Sequence, residues 1–227
     1  MTTTCFRSRK DSRFAENNNM KTIIKRFPFT LAMLGVLTLA AFLTNTHSGQ
    51  LSTAWLNRFG FAPTDLLVLD LWRLFTSAVV TSGGVVFWEA LGMIVFAVGL
   101  TEWRTSSRRA ALTFWGIHLL TMLIESLVIA LPLHWAGINA GTLVALSRDV
   151  GPSAGYFGSL GLAVATLKKP WHWFIGGTIF TGLTVAMLTI SGHSSLGIEL
   201  SADLAHLLAF PLGWLSMRVA RRTSAMN

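Results

Sequence analysis

Two short segments of the chain carry residue types able to perform acyl transfer. Gly151-Pro-Ser-Ala-Gly-Tyr-Phe-Gly158 presents Ser153 directly after a proline, and Ala202-Asp-Leu-Ala-His206 presents His206. A serine hydroxyl is a weak nucleophile at its own pKa, and a neutral imidazole within hydrogen-bond reach takes its proton as it attacks a carbonyl. Pro152 suits the start of a helix, whose unpaired backbone N–H groups, among them that of Ser153, would face an oxyanion. Each residue opens an apolar stretch that ends in basic residues. At about 1.5 Å of rise per residue, Ser153 stands about 22 Å from Lys168 and His206 about 22 Å from Arg221. In a hydrocarbon core of about 30 Å, both would lie about 8 Å below the same outer surface.

The two segments also share a packing pattern. Ala154, Gly158, Gly161 and Ala165 form one stripe of small residues at helical spacing, and Ala205, Ala209 and Gly213 form another. Small stripes let membrane helices approach closely. The spacing therefore predicts that the helix of Ser153 packs on that of His206, with Gly158 at the contact.

The elements that must position these residues follow from composition. Of 227 residues, 52% are hydrophobic and 12% charged, against about 25% charged in an ordinary soluble domain. That surplus excludes disorder and needs lipid or a very large core, which this length does not provide. Six apolar stretches are expected to cross a membrane: residues 27–44, 85–100, 110–131, 151–167, 173–189 and 204–219. The expected fold is all-α, a polytopic bundle of six transmembrane helices over residues 27–222. A basic, disordered tail precedes it at 1–26 and a short tail follows at 223–227. No small-residue cleavage pattern follows residues 27–44, which therefore read as a retained helix, and Met20 is a second candidate start.

Eighteen Lys and Arg against ten Asp and Glu give a formal charge of +8. With a cytoplasmic N-terminus, seven basic residues fall in the first tail and eight more in later cytoplasmic segments. Only Arg58, Arg73 and Arg148 are left outside. The positive-inside rule selects this topology, with both termini cytoplasmic and the bilayer, in a plasma (inner) membrane, as the partner. No nucleic-acid partner is needed to explain the charge. The outside segment 47–80 is rich in Trp and Leu and is expected to lie at the interface.

The ordered set Trp72-Arg73, Glu102 after Gly99, Gly151-Pro-Ser153 and Ala205-His206 resembles the rhomboid family of intramembrane serine proteases over roughly residues 52–222. The resemblance implies six spans, Ser153 as nucleophile and His206 as base. It places Gly151 and Ala154 in the serine motif, and Trp72, Arg73, Glu102 and Ala205 in structural positions, to which the small stripes add Gly158, Gly161 and Ala209. It implies single-span membrane proteins as substrates, cleaved near their outer ends, and no cofactor. Family proteases carry an oxyanion-binding His and Asn on the second span; here Trp88 and Gly92 fall at those positions after Ser82-Gly-Gly84, and Ala154 replaces a glycine. The alternative is a catalytically silent relative that binds client transmembrane helices.

The remaining polar residues have plainer readings. His118 within the third span reads as an interhelical hydrogen bonder, and Asp203 as a helix N-cap. Glu89 and Glu125 are costly in lipid; with His118 they are the whole basis of a solute-transporter reading. Cys5 is the one cysteine, so no intrachain disulfide or cysteine metal site can form. No H-E-x-x-H occurs, and no metal is expected.

Overall fold

The computed structural model describes residues 25–189 and 196–226. The expected tail up to residue 24 lies outside the described residues. Among those described the chain is helical, with two isolated bridges, Gln50 to Gly83 and Phe61 to Asp149, in place of strands. The helices are α1 (Pro28–Thr44), α2 (Thr53–Phe59), α3 (Arg73–Thr76), α4 (Val85–Arg104), α5 (Ser107–Trp135), α6 (Asn139–Leu146), α7 (Ser153–Ala165), α8 (Trp171–Thr189) and α9 (Leu196–Met226). Two short 3₁₀ turns, Pro63–Val68 and Ser77–Val79, link α2 to α4.

Among the described residues, four helices are long and apolar enough to cross a membrane: α4, α5, α8 and the Gly197–Met217 part of α9. The apolar helices at the first and fourth expected spans are shorter, α1 with 17 residues and α7 with 13. Thirteen residues rise only about 20 Å. The physical reason is position: α7 is the central post of the bundle, with nine residues from Ala154 to Val164 buried. A helix sheathed by others need not match the thickness of lipid. α8 lies at the opposite extreme, with Gly176 as its one buried residue.

Glu102 explains how α1 begins. Its carboxylate accepts the N–H of Phe29 at 3.0 Å, the N–H of Thr30 at 2.9 Å and the Thr30 hydroxyl at 2.6 Å. The two N–H groups are orphan donors of the first turn, so α4 caps α1 and places a negative charge at its positive end. Met33 and Leu37 of α1 then pack with Ile94 and Val98 of α4 and Phe114 of α5. Two wide π-turns interrupt the longer helices, at Ile94–Val98 and at Glu125–Ala130.

The α7–α9 contact is the most extensive in the bundle, and it is backbone against backbone. A Cβ on Gly161 would strike the Phe210 carbonyl, and one on Gly213 would strike the Gly158 carbonyl. The expected role of Gly158 needs correction here. A Cβ at Gly158 would meet the Ile117 side chain of α5, so its open face serves α5 while its carbonyl serves Gly213. Gly155 likewise admits the Phe114 ring. The stripe therefore serves two neighbours, because a central helix has no single contact face.

Candidate functional site

Ser153 is the first residue of α7, and Tyr156 N–H to Pro152 C=O, at 3.0 Å, is the first bond of that helix. The N–H groups of Ser153, Ala154 and Gly155 precede it and lack intrahelical acceptors. The chain reaches Ser153 through a clamped segment. Asp149 exchanges both backbone hydrogen bonds with Phe61 at 2.9 and 3.0 Å, and the Gly151 N–H donates to the Ser77 carbonyl at 2.8 Å. Gly151 has φ 152°, which L side chains rarely adopt.

The loop that does the clamping is held by a charge network. Arg148 grips Asp65 bidentately at 2.7 and 2.8 Å and also donates to the Gly60 carbonyl at 2.8 Å. Asp65, 5% exposed, also accepts the Ala62 N–H. Arg73 bonds Asp70 at 2.6 Å and caps the end of α2 through the carbonyls of Asn57, Arg58 and Gly60. Trp72 stacks under the Arg73 guanidinium and meets the Phe59 ring edge-on. The Arg73 hydrogen bond holds the Asp70 carboxyl below its ordinary range. Burial pushes Asp149 up to about 6.

Beside Ser153 lies a cavity of mixed lining of about 20 Å³, room for about one water molecule. Ser77, His118, Glu125 and Ser201 share its wall with Ser153 and Ala205. Ser77 Oγ, His118 Nδ1 and Glu125 Oε2 are buried there without hydrogen-bond partners. His118 Nε2 lies 2.9 Å from the Leu74 carbonyl. A carbonyl only accepts, so Nε2 carries the proton and Nδ1 of the neutral ring presents a lone pair. Ser201 Oγ donates to Glu125 Oε1, which ties α9 to α5.

His206 is placed by its ring. The imidazole packs on Phe157 with centroids 4.4 Å apart and planes inclined by 39°. Phe157 lies one turn after Ser153 on α7, so the imidazole is brought to the helix that carries the serine. Ala154 and Ala209 meet with Ile117 beneath them. Ser153 and Ala205 thus share a cavity wall, and His206 sits next to Ala205. No hydrogen bond joins Ser153 to His206 among the described residues: Nε2 is buried without a partner, and Nδ1 faces Asp203 Oδ1 at 3.7 Å. Asp203 is no N-cap, since α9 already begins at Leu196. Its side chain stands over His206 instead.

Trp88 and Gly92 do not reach the serine. Trp88 is 61% exposed, and a Cβ on Gly92 would meet nothing. Phe87 and Ala90 are the residues that this part of α4 buries. The polar groups beside Ser153 come from α5, the 3₁₀ turn and α9, through His118, Glu125, Ser77 and Ser201. Sequence reading named His118 and Glu125 without placing them at the serine, and it missed Asp65, Arg148 and Asp149. One sign was present: Arg73 and Arg148 are basic residues on the side that should carry few, and each has a carboxylate partner.

No protein-family model matches the chain, and neither does any curated protein or solved structure. Among the described residues, no group of three or more His, Cys, Asp or Glu could hold a metal ion.

Proposed function

We propose that this chain is an intramembrane serine endopeptidase of rhomboid type, a multi-pass protein of the plasma (inner) membrane with both termini cytoplasmic. The observation that carries the reading is His206 packed against Phe157, one turn from Ser153. Ser153 Oγ attacks the scissile carbonyl carbon and passes its proton to His206 Nε2. The oxyanion accepts the N–H of Ser153 at the positive end of α7. Collapse breaks the C–N bond as the imidazolium protonates the leaving amine, and water then releases the acyl group by the reverse proton path. The Ser153–His206 hydrogen bond closes in the substrate complex, as catalytic bonds that are loose in the free enzyme do. The substrate is a single-span membrane protein cleaved near its outer end.

A second reading has its own support. The missing Ser153–His206 bond and the outward Trp88 and Gly92 favour a silent rhomboid-like protein that binds client helices. A fluorophosphonate probe on protein in bilayers separates the two. The protease labels, Ser153→Ala does not, and cleavage of a transmembrane substrate disappears with the label. Binding of client helices with neither label nor cleavage rejects the enzyme.

A further inference from the structure

At the end of the bundle away from Ser153, two clefts adjoin on one indole. A polar cleft of about 580 Å³ is lined by Arg104, Ser106, Arg109, Thr166, Met217 and Trp103. An apolar groove of about 500 Å³ runs between α1 and α4, with Leu31, Leu34, Val95 and Phe96 on its walls and Trp103 again at its end. Arg26 reaches over the same indole, 6.0 Å from its centroid.

The arginines of the polar cleft are poorly matched by the protein. No carboxylate lies within ion-pair distance of Arg104 or Arg109 among the described residues. Arg104 spends Nε and Nη2 on Thr166, at 2.6 and 3.2 Å. Arg109 is offered the Met217 sulfur at 3.3 Å, a weak acceptor. A guanidinium carries five N–H donors in a fork that fits phosphate oxygens. An unsatisfied basic cleft that continues into an apolar groove matches a molecule with an anionic head and a hydrocarbon tail.

We propose that this is a binding site for one anionic phospholipid of the inner leaflet, phosphate in the Arg104–Arg109 cleft and one acyl chain in the α1–α4 groove. Basic pockets between membrane helices on the cytoplasmic side suit such headgroups. The lipid would bridge α1 and α4 to α5 and α9 at the end opposite the serine.

The test uses purified, delipidated protein in detergent, titrated with phosphatidylglycerol, phosphatidylcholine or inorganic phosphate and read by native mass spectrometry and thermal midpoint. One phosphatidylglycerol should bind and raise the midpoint, with phosphatidylcholine weaker by about tenfold. Arg109→Gln should weaken phosphatidylglycerol about five- to tenfold, and Arg108→Gln, outside the cleft, should do so much less. Val95→Trp places an indole in the groove from a position already 56% exposed, leaves the arginines intact and should also release the lipid. That variant decides the matter if Arg109→Gln does not fold. Equal loss in Arg108→Gln and Arg109→Gln would mean diffuse surface charge and overturn the proposal. So would unchanged binding in Val95→Trp, or stabilisation by inorganic phosphate equal to that by the lipid.

Discussion

The His206 imidazole lies against the Phe157 ring at 4.4 Å, and this contact sets where the histidine stands relative to α7. Its Nε2 is buried and unpartnered, so the ring is held by its face and not by a bond at its edge. Phe157→Leu keeps most of the volume and removes the aromatic face. Aromatic pairs contribute about 0.5–1.5 kcal/mol beyond burial, so substrate cleavage should fall about tenfold while the protein stays folded. His206→Ala should abolish cleavage, whereas His118→Ala should leave a measurable rate because His206 remains to take the serine proton. Equal and complete loss in the two histidine variants would reassign the base.

The glycines of α7 and α9 make a contrast that measures packing. Gly213→Ala drives a methyl into the Gly158 carbonyl, and overpacking of this kind costs about 1–3 kcal/mol. Gly92→Ala meets nothing within 4 Å and replaces a poor helix former, a gain of about 0.5–1 kcal/mol. Thermal midpoints in detergent should therefore move in opposite directions. A Gly213→Ala protein as stable as the parent would deny the backbone contact between α7 and α9.

The long apolar helices were legible in the sequence because hydropathy reports them directly, whereas the short lengths of α1 and α7 and the helix Asn139–Leu146 were not. The small stripes announced that α7 and α9 meet, as the Gly161 and Gly213 contacts bear out. What the stripes could not reveal was direction. Gly158 turns its open face to Ile117 because α7 is surrounded, and one-dimensional spacing does not record how many neighbours a helix has. Glu102 looked like a motif residue and proved to be the cap of α1, a role set by a partner 72 positions away. The cavity beside Ser153 was equally hidden, since Ser77, His118, Glu125 and Ser201 come from three distant segments that only the fold assembles.

The Asp65–Arg148 pair should be the most sensitive point outside the helices. Arg148→Ala leaves the Asp65 carboxylate buried, with the Ala62 N–H and the more distant Arg73 guanidinium as its remaining partners. Breaking one side of a buried pair costs about 3–5 kcal/mol, and the lower end applies because Arg148 keeps part of its side chain in solvent. Arg58→Ala, an exposed position, should change stability by less than about 0.5 kcal/mol. Limited proteolysis should cut the 60–80 segment faster in Arg148→Ala. Cleavage of substrate should fall too, because the same network holds the segment that leads into Ser153.

Asp149 should give the protein a pH dependence opposite to that of an ordinary ion-paired acid. Burial raises its carboxyl to about 6, from an ordinary value of 3.8. Well below its ordinary value of 3.8 the group is protonated both folded and unfolded, and it costs nothing. As pH rises towards 6 the unfolded chain ionises first, so stability is lost across that window and stays lost above it. Asp70, lowered by its hydrogen bond to Arg73, acts the other way: its contribution is present above its ordinary pKa and disappears as pH falls. Asp149→Asn keeps an oxygen to accept the Val150 N–H, now bonded at 2.7 Å, and leaves both backbone bonds to Phe61 in place. The variant should therefore be more stable than the parent at pH 7, by on the order of 2 kcal/mol, and within about 0.5 kcal/mol of it near pH 4. Thermal midpoints measured from pH 4 to pH 8 decide it: parallel curves for the two proteins would mean that Asp149 is not the group that titrates.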